Sequence, residues 1–198
     1  MAGLTDRWTT LRPHATQQAY RTSSARFNVV PAGRRSGKTE LAKRKLVRAA
    51  LYGSDFDRPR FFAAAPTRDQ AKRIYWTDLK AMMPREYITD ISETELRISL
   101  VTGAELWVVG LDKPERIEGS PWDGGVLDEY GNMKAKAWPE NVRPALADRH
   151  GWCDMIGVPE GRNHYWNLWQ TARAGAEGWA GYHWKSADIL DAAEVEAA

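Results

Sequence analysis

The sequence predicts an α/β fold of three layers, a mostly parallel central sheet flanked by helices, with an antiparallel hairpin added to it. Three observations carry this expectation. Short continuous apolar runs, the mark of strands buried on both faces, alternate with segments of helical periodicity. One such run, residues 27–30, leads through a glycine-bearing loop into Gly37-Lys38-Thr39 and a helical pattern. Another, Gly124-Gly125-Val126-Leu127, runs straight into two adjacent acids, Asp128 and Glu129.

The 198 residues are enough for one such domain with a full core, and 43% hydrophobic with 27% charged residues is a globular composition. The net charge of +2 does not by itself demand a polyanionic partner. Cys153 is the single cysteine, so no intrachain disulfide forms and neither Cys₂His₂ nor Cys₄ zinc spacing exists. No stretch approaches the roughly 18 apolar residues of a membrane-spanning helix, and the N-terminus lacks a signal-peptide core. A cytosolic protein with no membrane partner is expected. No internal repeat or linker interrupts the chain, so one domain over 1–198 is expected, with an N-terminal region 1–25 and a tail at 186–198. Most of the ten tryptophans read as core and groove residues.

Taken in order, residues 1–25 are polar with scattered anchors at Trp8, Leu11, Pro13 and Tyr20. Residues 26–32 read as the first core strand. Pro31-Ala32-Gly33-Arg34-Arg35-Ser36-Gly37-Lys38-Thr39 then has the strand, loop and helix order of a phosphate-binding P-loop. Backbone N–H groups of such a loop, Gly33 to Gly37 here, point inward and cradle phosphates. Lys38 neutralises phosphate charge and the Thr39 hydroxyl ligates Mg²⁺. The pattern wants glycine at position 32, where this chain has alanine; Gly33 supplies the backbone freedom one residue later. The helix runs over 37–52 to a C-cap at Gly53. Its basic run, Lys43, Arg44, Lys45 and Arg48, reads as a solvated face or as a DNA-facing one.

Residues 61–65 read as a second buried strand, followed by a helix over 68–82 with Thr67 as N-cap. Residues 94–110 alternate as a hairpin about Thr102-Gly103. At the carboxyl edge of a parallel sheet, the acids after residues 124–127 fall beside the P-loop. Asp128 would hold the Mg²⁺ shell, and Glu129 would orient or deprotonate the attacking water. A helical segment near 135–148, a strand over 152–158, a helix over 165–173 and a strand at Tyr182-His183-Trp184 complete the chain, ahead of an acidic, alanine-rich tail.

With these motifs placed, the chain resembles the ATPase domain of the large terminase subunit of tailed bacteriophages, of the P-loop ASCE, RecA-like family. Residues 33–39 look like its P-loop, where two arginines commonly precede Ser-Gly-Lys-Thr. Residues 13–17 look like its adenine motif, and 126–129 like its acidic strand. Gly157-Val158-Pro159-Glu160-Gly161 with Asn163-His164 is similar to its coupling motif, although Val158 lacks the usual hydroxyl. The resemblance implies a motor that couples ATP and Mg²⁺ chemistry to moving double-stranded DNA through a portal protein into a procapsid, in the host cytoplasm. It also implies a small terminase subunit as partner and a homo-oligomeric ring, a pentamer when assembled. Gln17 would read the adenine edge, an amide offering donor and acceptor together, with Gln18 as alternate and Tyr20 as a ring partner. Arg116 lies where the family often has an arginine acting on a neighbouring subunit's site, while Arg34 or Arg35 could act in cis. The carboxyl-terminal nuclease usual in the family is not expected within these residues. Other classes fit less of the pattern. A helicase-like remodelling ATPase usually needs a second motor domain. A small-molecule kinase would rarely place Glu beside the metal-binding Asp. A non-hydrolysing nucleotide-binding module would not need Lys38, Thr39, Asp128 and Glu129 together.

Overall fold

The computed structural model describes residues 13–188. The anchors Trp8 and Leu11 and the tail from 189 onward lie outside the described residues. Helix α1 (Ala15–Arg21) precedes strand β1 (Phe27–Pro31) and the long helix α2 (Lys38–Tyr52). Strand β2 (Arg60–Ala65) is followed by α3 (Arg68–Ala71), a π-helical turn (Lys72–Trp76) and α4 (Thr77–Met82), which run on as one helical segment. Three strands come next, β3 (Ile88–Ser92), β4 (Arg97–Leu100) and β5 (Glu105–Gly110). Strand β6 (Gly124–Leu127) ends at the acids. A π-helical turn (Ala137–Val142) and the short α5 (Arg143–Ala145) lead to β7 (Trp152–Gly157), α6 (His164–Arg173) and β8 (Trp179–Gly181).

The eight strands form one sheet in the order β3-β4-β5-β2-β6-β7-β1-β8. From β5 to β8 every pairing is parallel, and β3 and β4 extend the edge antiparallel. Alternate residues of the parallel strands face opposite layers, as a period-2 backbone requires. Val30, Phe61, Ala63, Val126 and Ile156 pack on the side of α2 and α4, with Leu46 and Leu79. Phe27, Val29, Phe62, Leu127 and Met155 pack under Trp138, Val142 and Tyr165 on the other. Three layers result, with helices on both faces, as the apolar runs require.

Two expectations shift. The hairpin is real, but β5 also pairs parallel with β2, and β3 extends the sheet beyond the expected pair. The closing strand is Trp179–Gly181 rather than Tyr182 to Trp184; Trp184 keeps a single bridge to Ala32. The basic run on α2 is not a DNA-facing stripe. Lys43 is buried and bonds Asp78 at 2.6 Å, Arg44 is buried beside Glu40, and Lys45 reaches into the sheet, so only Arg48 is exposed. Lys45 Nζ lies 2.8 Å from both oxygens of Asp154 on β7. That carboxylate also accepts from Tyr20 at 2.6 Å and Asn28 at 2.7 Å, which ties α1, β1, α2 and β7 together.

Candidate active site

The phosphate loop hangs between β1 and α2, at the carboxyl edge of the sheet. Arg35 (φ 53°) and Gly37 (φ 77°) both adopt the left-handed region and turn the chain sharply about Ser36. Ser36 is buried, and its Oγ has no hydrogen-bond partner among the described residues. The glycine requirement sits at 33 rather than 32. A Cβ on Gly33 would fall 2.3 Å from Ser186 Oγ and 2.5 Å from Ser186 N, whereas Ala32 fits in the core.

The loop is held from both sides. The Ser36 carbonyl accepts from Gln17 Nε2 at 3.0 Å and from Trp184 Nε1 at 2.9 Å. Gly33 N donates to the Trp184 carbonyl at 3.2 Å, and Ser186 Oγ donates to the Arg34 carbonyl at 2.8 Å. The Gln17 amide, expected at an adenine edge, is thus engaged within the chain, its Oε1 accepting from His14 N at 3.2 Å in a capping box. Tyr20, the expected ring partner, is buried against Asp154 instead.

Lys38 is 6% exposed, with Nζ 3.4 Å from the Gly33 carbonyl. Thr39 Oγ1 donates to Asp128 Oδ2 at 3.0 Å, joining the two motifs directly. Tyr75 from the π-turn donates to the same oxygen at 3.0 Å, and Glu129 N donates to Oδ1 at 2.9 Å. Asp128 is 1% exposed. Burial pushes its carboxyl above the usual carboxylate range, against the opposing pull of Thr39, Tyr75 and Lys38. Glu129 is half-buried and also left-handed (φ 52°). Burial raises its carboxyl too, while Lys38 and a hydrogen bond from the Val158 main-chain N–H pull it down. The turn beyond Glu129 is pinned by His164 Nε2, 3.0 Å from the Tyr130 carbonyl, and by Asn163, which caps α6 and bonds the Gly131 carbonyl at 3.4 Å.

The donor set suits a magnesium-bound nucleotide phosphate. Mg²⁺ needs one or two carboxylate or hydroxyl oxygens and leaves its remaining positions to water and phosphate. Thr39 and Asp128, 3.0 Å apart, are the residues that would supply those oxygens. Lys38, the loop N–H groups and the Ser36 hydroxyl, which is buried without a partner among the described residues, are the groups that would meet the phosphates. Among the described residues no cluster of three or more His, Cys, Asp or Glu forms a separate metal cage.

Arg34 and Arg35 are exposed on the loop. Arg116 is not brought to it. It sits on a 3₁₀ turn (Pro114–Ile117), its side chain 43% exposed and 3.8 Å from Asp112. It lines a hollow at the end of β5 with Arg68 and Trp107. Strands β5 and β1 are four places apart, about 19 Å at ordinary strand spacing. Tyr75, Trp184 and Ser186 are the site groups that sequence reasoning missed. The Lys43–Asp78 pair flanking Tyr75 was readable only as charge on two helices.

A phosphate loop after one strand and an acid pair after a strand two places away define a P-loop nucleotide-binding α/β protein of RecA-like fold. No protein-family model matches the chain. In sequence it is similar to the large terminase subunits of Thermus phage G20c and Thermus virus P23-45. Each is 28% identical over 178 residues, covering 79% of this chain and 36% of the relative. The chain thus spans about a third of the length of the curated relatives it matches. In structure it is similar to the large terminase ATPase domain of Thermus phage P74-26, with a TM-score of 0.75, 22% identity, and 92% of this chain and 86% of that one covered. The large terminase of bacteriophage D6E, solved with ADP, superposes with a TM-score of 0.75 at 16% identity, covering 92% and 48%. In sequence the chain is thus similar to phage large terminase subunits, and its fold is that of their ATPase domain. Among the described residues no helix is long and apolar enough to cross a membrane.

Proposed function

We propose that this chain is the ATP-hydrolysing motor domain of a phage DNA-packaging terminase, coupling Mg²⁺-ATP hydrolysis to translocation of double-stranded DNA into a procapsid. The observation that carries the reading is the 3.0 Å hydrogen bond from Thr39 to Asp128, which sets the phosphate loop, a metal-binding oxygen pair and Glu129 on one edge. The loop N–H groups and Lys38 bind and orient the phosphates. Thr39 and Asp128 hold Mg²⁺, which when bound neutralises charge building on the transferred phosphoryl group. Glu129 orients the attacking water and takes its proton. Its raised carboxyl, worked against by Lys38 and the Val158 N–H, lies closer to the range a general base needs.

Arg116 completes the site of a neighbouring copy in a ring, since its own P-loop lies four strands away. Such arginines are worth on the order of 10³–10⁵ in rate in other NTPases. Double-stranded DNA, a portal protein and a small terminase subunit are the partners this reading implies, during phage assembly in the host cytoplasm. Exposed Lys72 and Arg73 on the π-turn are candidate DNA contacts. The test is ATP hydrolysis per subunit over a wide range of protein concentration, with Mg²⁺ and with Glu129→Ala as blank. The expected result is specific activity that climbs with concentration and is lost in Arg116→Ala. Activity no greater than the blank at every concentration would overturn the ATPase reading.

A further inference from the structure

We infer that Tyr75 is a positioning residue of this site, one that fixes the Asp128 carboxylate in the orientation that receives the metal; the inference rests on the ATPase reading above. Asp128 Oδ2 takes two hydroxyl donors at 3.0 Å, Thr39 from the phosphate loop and Tyr75 from outside both motifs. The other oxygen takes the Glu129 N–H at 2.9 Å. Thr39 has a second task under that reading, because its hydroxyl oxygen would also ligate the metal. The Tyr75 phenol has none, so it alone is free to hold Oδ2 whatever occupies the loop.

The structure goes to some length to place it. Tyr75 is fully buried and belongs to a π-helical turn, a rare geometry that inserts a residue into the helix and recurs at functional sites. Its ring is faced by Lys43 Nζ at 5.7 Å, and that ammonium is held by Asp78, three residues along from Tyr75, at 2.6 Å. A buried phenol needs a hydrogen-bond partner of some kind. Here it takes the one carboxylate on which the phosphate site depends. Groups that hold a metal-ligating carboxylate from behind are typically worth about 10–100-fold in metal affinity or activity.

The test is calorimetric titration of ADP into the 198-residue chain, with Mg²⁺ and with EDTA, for the wild type and Tyr75→Phe. Phenylalanine keeps the ring and removes only the donor. The expected result is an affinity in EDTA within about twofold of wild type, with the gain in affinity on adding Mg²⁺ reduced about tenfold. Melting of both chains without nucleotide accompanies the titration. An unchanged Mg²⁺-dependent gain alongside a lowered melting temperature would make Tyr75 a core group only. Equal loss in Mg²⁺ and in EDTA would mean that the loop itself had shifted, and would overturn the inference as well. A wild-type chain that binds ADP with no gain from Mg²⁺ sinks the inference but leaves the phosphate loop standing. One that binds no ADP in either condition sinks both.

Discussion

Replacing Lys45 by methionine is expected to destabilise the folded chain by about 2–3 kcal/mol. Asp154 is fully buried on β7, between β6 and β1, and Lys45 is its ion-pair partner among the described residues. Removing one member of a buried pair costs about 3–5 kcal/mol, because the other is left charged in the interior. Two observations reduce that figure. The Lys45 side chain is 20% exposed, so the pair is not wholly desolvated, and Asp154 keeps its donors Tyr20 and Asn28. One adds to it, since Lys45 Nζ also sits 4.2 Å from the Trp152 ring centroid, a contact worth about 0.5–1 kcal/mol. At about 2–4 °C per kcal/mol for a chain of this size, the melting temperature should fall by about 4–12 °C. Circular dichroism at neutral pH without nucleotide measures it. Asp154→Asn in the same background removes the stranded charge and should recover at least half of the loss. A Lys45→Met chain that melts within about 2 °C of wild type would refute the reasoning, since the carboxylate would then have no need of its cation.

Two further outcomes follow from the site. Gly33→Ala places a Cβ against the backbone nitrogen and hydroxyl of Ser186, so the segment that holds the loop must move; nucleotide titration should show at least about a tenfold loss in affinity, and an unchanged affinity would refute the clash. Glu129→Gln tests the sign of the burial effect. A carboxyl raised in the folded chain binds its proton more tightly there, so its stabilisation is complete below the ordinary Glu range and is lost as pH rises through the raised folded value. Without nucleotide, the glutamine chain should therefore melt at or above wild type at pH 7 to 8, with the difference shrinking below pH 4; a lower melting temperature at pH 8 would contradict it.

The parts of the fold and site that were legible in the sequence are those coded locally. The P-loop and the Asp128-Glu129 pair each lie within a short stretch, and continuous apolar runs mark the buried strands of a parallel sheet. The alanine at 32 weakened the pattern on paper only, because the close approach of Ser186 falls on residue 33. What stayed hidden depends on contacts between distant segments. Tyr75 at helical spacing reads as core, and nothing local says that its hydroxyl meets residue 128. The four-residue basic cluster on α2 reads as a solvated face until the fold brings Asp78 and Asp154 to Lys43 and Lys45. Gln17 carries an amide fit for a purine, but the position of Ser36 beside it could not be read from either segment. The 3₁₀ turn of Arg116 gives no local sign of which loop, its own or a neighbour's, it serves.

The doubly bonded Ser36 carbonyl bears on how strongly the loop can bind. Arg35 in the left-handed region is strained, and a free loop would leave that conformation readily. With Gln17 and Trp184 fastened to the same carbonyl, the loop is held in one shape before any ligand arrives. The entropy of ordering those residues is then spent during folding, and little of it is left to oppose a ligand. Preorganisation of this kind makes the α1 and Trp184 segments part of the binding energetics even though neither need touch a phosphate.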